Sequence, residues 1–385
     1  MLGHGKTLAY AAALAACGGA NHTALAQSEA QTQSAPFTIT ELANFEVPWS
    51  MAFLPDGRLL VTEQKGALKL RSANGTIASI NGVPAVSYGG QGGFSEIVLH
   101  PNFAANNLVY MSYAEAGQRD TRGAAVARAK LVLDATGATG GELRDLEVIW
   151  RQSPKVEGGG HYGHRIAFGA DGKLWISSGE RQKFDPAQDM SMNLGKIVRL
   201  NDDGSVPADN PFVDRGGVTA QIWTLGHRNP LGLAFDSAGK LWNVEMGPMG
   251  GDELNHVERG ANYGYPIVSN GDHYDGKVIP DHPTRPEFKA PAAFWNPVIS
   301  PSSLMFYSGS EFPQWQGDAF IGGLSSQSIV RIEFDGENAR EAQRIAMGMR
   351  VRALEQGPDG AIWMLEDERD GRGGQGRLFR LTARN

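Results

Sequence analysis

One cysteine in 385 residues, Cys17, excludes a disulfide framework and a cysteine metal centre. Lysine and arginine nowhere cluster, and the formal net charge is −7, so a nucleic-acid surface is excluded too. No apolar period of 3.6 residues is sustained, which removes a helical architecture. The apolar run Leu8–Cys17 is too short to span a membrane as a mature helix and has signal-peptide length instead. What is abundant is glycine: 50 residues, above the usual share of ~7%. They are scattered, so collagen and linker readings fail and an all-β chain with many turns is expected. Hydrophobic residues at 41% are ample for a core.

Two cleavage patterns compete near the start. Leu14-Ala15-Ala16-Cys17 matches a bacterial lipobox, which would leave a lipidated Cys17 as a membrane tether. Ala24-Leu25-Ala26 offers an A-x-A cut that would release a soluble protein. The expectation is an export signal over 1–26, a polar tether over 27–36, one large domain over 37–385, and a periplasmic or exported location.

The domain is organised around 158–180. Its second half, Ile166 to Ser178, is a strand, an Asp171-Gly172 turn and a second strand, a strong hairpin signal. Similar hairpins run through Asp56-Gly57, Pro101-Asn102, Asp236 to Gly239, Asp318 and Asp359-Gly360. The strands after these turns begin near 59, 108, 174, 241, 319 and 362. Six four-stranded units in this length predict a six-bladed β-propeller of antiparallel sheets, at ~40–50 residues per blade before insertions. The gaps at 112–160, 180–220 and 245–303 are expected to be loops on one face.

The glycine–histidine run before the third hairpin, GGGHYGHR, occurs once. His161 follows three glycines, a poor recipe for regular core strand, and reads as a general base or a structural histidine. His161 and His164 also read as two ligands of a zinc site, with His100, His227 or His256 as the third. Arg228 and Asn229 sit where a strand ends at Pro230, and read either as side chains aimed off the sheet or as a surface arginine and a turn residue. The loop Glu245–Leu254 with Asn262-Tyr263-Gly264 is rich in carbonyl and carboxylate oxygen, as calcium requires, although a mobile acidic loop has the same composition. Arg350 and Arg352 fall on one strand face about 7 Å apart, suited to an anionic ligand or to water. Gln91 lies among glycines, where something large can approach closely.

The motifs GQGG at 90–93, GGGHYGHRIAFGADGKLW at 158–175, GKIVRLNDDGSVPADNPF at 195–212, GHRNPLGLAFD at 226–236, GPMGGDELN at 247–255 and NYGYP at 262–266 carry a resemblance. Together they resemble the soluble pyrroloquinoline quinone (PQQ)-dependent aldose sugar dehydrogenases, within the wider glucose/sorbosone dehydrogenase family, over about 37–382. The resemblance implies PQQ and Ca2+ as cofactors and an aldose as substrate, oxidised at C1 to a lactone. Hydride would pass to the quinone, with His161 as general base and Arg228 stabilising charge on the quinone oxygen. Gln91, Arg228, Asn229, Tyr274, Arg350 and Arg352 would hold PQQ. The Gly247 and Pro248 carbonyls would ligate one calcium, and Glu253 with the Tyr263 carbonyl a second. Two departures stand out: the family's PQQ-contacting lysine is replaced by the run Ser325 to Ser328, and its usual aspartate is Glu180. A calcium-dependent propeller lactonase and a non-catalytic sugar- or envelope-binding propeller are the competing classes. The electron acceptor and oligomeric state carry no signal in the residues.

Overall fold

The computed structural model describes residues 35–134, 140–368 and 374–384; the export signal expected over 1–26 and most of the tether lie outside them. Among the described residues no helix is long and apolar enough to cross a membrane. The strands among the described residues form four sheets of four, one of eight, and a two-stranded ribbon. The eight-stranded sheet consists of two four-stranded runs, Pro48–Asn81 and Phe94–Arg151. They are bridged only by a short parallel pairing of Ile80 and Asn81 with Gly141 and Glu142.

Every four-stranded run opens on an inner strand: Pro48–Phe53, Phe94–Leu99, Gly163–Phe168, Pro230–Phe235, Pro301–Phe306 and Val351–Gln356. Each of these touches the next, and the last touches the first, so they form a ring. Each also carries a register shift at its first residues. A bulge there bends the strand and leaves the extra residue outside the ladder. Pro230 opens an inner strand rather than ending the one before it, as Pro48 and Pro301 also do. Proline is tolerated at a strand's first residue because its missing N–H breaks no ladder bond there.

The strands that follow begin at Leu59, Leu108, Leu174, Leu241, Ala319 and Ile362, as the turns predict. Five of the six, Leu108–Ala116 excepted, are buried along their whole length. Adjoining sheets cover both their faces, which is why they are buried from end to end, polar residues included. One such seam packs Tyr110, Val126 and Trp150 against Ile166, Leu174, Ile176 and Val198. Each of these side chains contributes about 1.5–3 kcal/mol by leaving water. The ring is fastened by Phe37–Glu46, which pairs antiparallel with Gln375–Ala383 as the outer strand of the last sheet.

The long gaps are not loops throughout. Strands Arg122–Leu133 and Gly141–Arg151 occupy nearly half of 112–160. Lys196–Leu200 lies in the second gap, and Asp252–His256 and Ala293–Trp295 in the third. These are the third and fourth strands of their sheets. Their apolar residues alternate with polar ones or run too short to be recognised.

Candidate functional site

Two glycine runs build one wall. The Gln91 N–H donates to the Gly159 carbonyl at 2.7 Å, and a Cβ on Gly90 would stand 2.5 Å from that same oxygen. Only bare backbone permits this approach. It delivers His161, two residues on, in a left-handed conformation (φ 47°), which costs about 1–3 kcal/mol unless its surroundings fix it. Three bonds do so. The Gln91 carboxamide oxygen accepts the His161 N–H at 2.8 Å, and the His161 carbonyl accepts the Arg181 N–H at 3.1 Å. Nδ1 of the ring meets Glu180 Oε1 at 2.5 Å.

Glu180 is fully buried. Its other oxygen accepts the Lys183 and Phe184 N–H groups, the latter at 2.7 Å. Burial alone would raise its carboxyl, but the hydrogen bond and charge of His161 outweigh that and hold it below the usual range. An ionised Glu180 can only accept, so Nδ1 carries the proton and Nε2 keeps its lone pair. Nε2 has no protein partner among the described residues. Burial pulls the imidazole below 6.5; the Glu180 bond opposes this, while the charges of Arg228 and Arg181 add to it. A neutral imidazole with an available lone pair is what this arrangement supplies.

Among the described residues Arg181 has no carboxylate partner. Its Nε and Nη1 donate to the carbonyls of Gly160 (2.8 Å) and Arg122 (2.6 Å), its Nη2 donates to Gly158, and its guanidinium lies 3.8 Å from the Tyr162 ring centroid. It therefore clamps the glycine run that carries His161.

Arg228 lies beside this pair, its carbonyl accepting the Glu180 N–H at 2.9 Å. Glu245, at the end of a buried strand, accepts the Arg228 N–H (2.7 Å), His227 Nδ1 (2.9 Å) and Asn255 Nδ2 (3.0 Å). Nη1 of Arg228 donates to the carbonyls of Met246 (3.0 Å) and Gly247 (2.6 Å), whereas its buried Nε has no partner. The rings of Tyr265 and Tyr274 stand 5.9 and 5.8 Å from its guanidinium carbon. Asn229 Oδ1 accepts the Gly163 N–H at 3.2 Å, tying the two adjacent inner strands together.

Arg350 and Arg352 converge on one carboxylate. Asp367 Oδ2 accepts from Nε of Arg350 and Oδ1 from Nε of Arg352, both at 2.8 Å. Burial alone would raise Asp367, but Arg352 and Arg350 hold it low. The two like charges thus share an internal counter-ion, with Arg350 the more exposed at 39%.

The zinc reading is overturned. His164 points into the core, its Nε2 3.0 Å from Ser95 Oγ, and its ring packs against Trp49 and Tyr162. Burial, then Arg165 and Arg181, pushes it down to about 3. His227 is bound to Glu245 and Thr224, His100 to Asn102 and Asn106, and His256 lies in an outer cluster with Glu258 and Glu337. Among the candidate calcium ligands, the Gly247 carbonyl already takes Arg228. Glu253 is buried, 3.4 Å from His282 Nε2, and is pushed up by burial. The Oδ1 of neighbouring Asn255 is buried without a partner. The Tyr263 ring stacks on His227 at 4.7 Å. Ser325, in place of the family's lysine, bonds Ser300 at 2.8 Å.

Sequence reasoning missed Arg181 and Asp367 as parts of the site, and read Glu245 only as the first residue of an oxygen-rich loop suited to calcium. A signal existed: a buried carboxylate recurs at the end of the second strand, as Glu63, Glu180, Glu245 and the Glu366-Asp367 pair.

A polar centre built at the ends of inner strands, in a ring of four-stranded sheets, defines an enzyme whose sheets are scaffold and whose chemistry sits in the turns. The comparisons agree. The Glucose / Sorbosone dehydrogenase family model matches residues 45–380, and the chain belongs to that family of oxidoreductases. Aldose sugar dehydrogenase YliI of Escherichia coli is 38% identical over 347 residues, covering 88% of this chain and 90% of that one. The crystal structure of the soluble aldose sugar dehydrogenase of Escherichia coli in its apo form superposes with a TM-score of 0.83 at 35% identity. It covers 90% of this chain and 100% of that one. The PQQ-bound aldose sugar dehydrogenase of Streptomyces coelicolor gives 0.74 at 28% identity, covering 90% and 98%.

Proposed function

We propose that this chain oxidises aldose sugars at C1 to lactones, using PQQ as bound oxidant and His161 as general base. The observation that carries the reading is the His161–Glu180 pair lying directly against Arg228. His161 Nε2 accepts the proton of the sugar's C1 hydroxyl. Glu180 stabilises the imidazolium that forms and, before that, holds the ring's own proton on Nδ1, which leaves Nε2 to take the substrate's. Arg228, fixed by Glu245 and two carbonyls, presents positive charge that need not reorganise during the reaction.

When bound, PQQ supplies the two-electron acceptor chemistry that no side chain of the protein has. The residues present fit it. Arg228 has a buried Nε without a partner, and Arg350 and Arg352 keep Nη1 free of protein bonds among the described residues. Gln91 and Asn229 have amide N–H groups to offer, and Tyr274 offers a ring. Three carboxylates on the ligand would complement these cations. For calcium the fit is uneven. A cation at the Gly247 and Pro248 carbonyls would share an oxygen with Arg228, whereas Glu253, with Tyr263 and the partnerless Asn255 oxygen, is oxygen-rich and buried. No step here is assigned to calcium.

Three further readings belong with this one. Counting the eight-stranded sheet as two blades makes six, which the ring of six inner strands supports. The start of the chain supports a periplasmic or exported protein, with Cys17 lipidation as its tether; the mass of the mature amino terminus decides between the two cuts. Electrons leave to an acceptor that dye chemistry can replace.

The test is reconstitution with PQQ and Ca2+. Aldose-dependent dye reduction is expected only in the PQQ-loaded protein, with bleaching of the oxidised-cofactor absorption on adding sugar. Loaded protein that reduces no dye with any aldose overturns the reading.

A further inference from the structure

Four residues after His161, on the inner strand Gly163–Phe168, lies Arg165. It is buried together with Glu96, and neither takes part in the chemistry described above. We infer that Arg165 is a positioning residue, whose guanidinium holds the inner strands in register with one another and thereby sets the spacing of Gln91, His161 and Arg228 around the cofactor. The inference rests on the sugar-oxidising reading and deepens it.

Each nitrogen of the guanidinium serves a different inner strand. Nη1 donates to Glu96 Oε2 at 2.7 Å on the second, and Nε to the Leu231 carbonyl at 2.7 Å on the fourth. Nη2 donates to the Ser302 carbonyl on the fifth. On the first, the Trp49 ring centroid lies 3.9 Å from the guanidinium carbon, and the Ser50 hydroxyl donates to the other oxygen of Glu96. The Ser302 hydroxyl in turn donates to the Val351 carbonyl of the sixth strand at 2.6 Å. One side chain therefore touches four strands besides its own and reaches the last through a single serine.

The strands it grips lead straight from the site. Gln91 lies five residues before Glu96, His161 four before Arg165, and Arg228 three before Leu231, while Val351 stands between Arg350 and Arg352. Cross-links stiffen these leads. The Ser177 hydroxyl accepts the Arg165 N–H and donates to the Pro230 carbonyl, both at 2.9 Å. Asn229 Oδ1 accepts the Gly163 N–H at 3.2 Å. A displacement at Arg165 is thus passed to the base on one sheet and to Arg228 on the next.

Stability alone does not account for the pair. Two charges taken out of water cost about what their attraction returns, and an apolar filler of similar volume is often as stable. What such a filler lacks is direction. A guanidinium is a planar fork with its donors fixed in several directions, so it can hold partners on three strands at once. A lysine ammonium is a single point on a flexible stem.

The experiment compares Arg165→Lys, Arg165→Met and the double variant Glu96→Gln with Arg165→Met against the unaltered protein. Arg165→Met leaves Glu96 buried without its counter-ion, so its melting temperature should fall furthest, and the double variant should regain about half of that loss or more. Calorimetric binding of PQQ to the calcium-supplemented apo protein is expected to weaken about tenfold in both methionine variants, since neither has the fork. Their kcat at saturating PQQ should fall by about 10², the usual cost of a small misplacement. Arg165→Lys keeps a charge opposite Glu96 and covers the case of a methionine variant that does not fold. It should lose about tenfold in kcat with its melting temperature nearly unchanged. Affinity and kcat that return with stability in the double variant, or that are unaltered in Arg165→Lys, overturn the positioning role and leave the pair a brace. Melting and PQQ binding are read without turnover. Weaker PQQ binding in the variants of a protein that oxidises no aldose would sink the activity and leave the positioning role standing.

Discussion

His161 and His164 lie three residues apart, both buried and both at positive φ, and their surroundings give them opposite chemistry. His161 faces a carboxylate and keeps one nitrogen free of protein bonds. His164 faces a serine hydroxyl, is flanked by Trp49 and Tyr162, and leaves Nδ1 buried without a partner. Its pKa of about 3 keeps it neutral across the working pH range. What separates a base from a filler here is the buried charge opposite the ring, since exposure is nearly the same.

The largest effect should follow from breaking that contrast at its active half. His161→Ala is expected to lower kcat by about 10²–10⁴, the usual worth of a general base, with PQQ retention unchanged on gel filtration. His164→Ala should leave kcat within about threefold while costing roughly 1–3 kcal/mol in urea unfolding, through the cavity and the unpaired Ser95. If the two variants lost activity equally, the distinction between them would be void.

Smaller effects should come from changing the surroundings instead of the ring. Glu180→Gln removes the charge that raises the His161 pKa, and should cost roughly 10² in kcat because the imidazole itself survives. Arg181→Met removes a charge that lowers the His161 pKa and releases the Gly158 and Gly160 carbonyls. It should cost about tenfold through misplacement. The pH profile tells the two apart. His161 must be neutral to act, and its pKa is already below 6.5, so kcat/KM should stay level as pH falls through 6.5 and drop only below it. Glu180→Gln should move that acid limb further down, and Arg181→Met should move it up. Shifts in the same direction would show that one of the two charges does not act on the ring as argued.

How much of this the sequence carries depends on how far apart the interacting residues lie. The Asp56-Gly57, Asp171-Gly172 and Asp359-Gly360 turns are local, and each strand after them begins where its hairpin pattern says. His161, Arg228 and the arginine pair stood out because glycine or a strand end isolates them. Their partners did not stand out. Asp367 lies 17 residues from Arg350, Glu180 lies 19 from His161, and neither forms a local motif with the group it serves. The pairing of Phe37–Glu46 with Gln375–Ala383 is more remote still. Two alternating strands that could each sit at any sheet edge give no sign that they belong together. The missed carboxylates become readable only as a set, once the second strands are aligned and an acid is seen to close most of them.

The smallest effect concerns the arginine pair, where the surroundings are looser than around either histidine. Arg350 is 39% exposed on its side chain and Arg352 13%, and both hold the same buried aspartate. Arg350→Ala should weaken PQQ retention about three- to tenfold, since solvent screening discounts a charge-assisted bond at that exposure. It should leave kcat at saturating PQQ unchanged, because the base and its carboxylate are untouched. Asp367→Asn makes the sharper test. Without the carboxylate the two guanidiniums repel one another, which costs stability in the free protein. An anionic ligand then becomes their only neutraliser, so the melting temperature should fall in the apo form and recover more on PQQ addition than in the unaltered protein. A variant destabilised equally with and without PQQ would mean that the pair braces the last sheet and never meets the ligand.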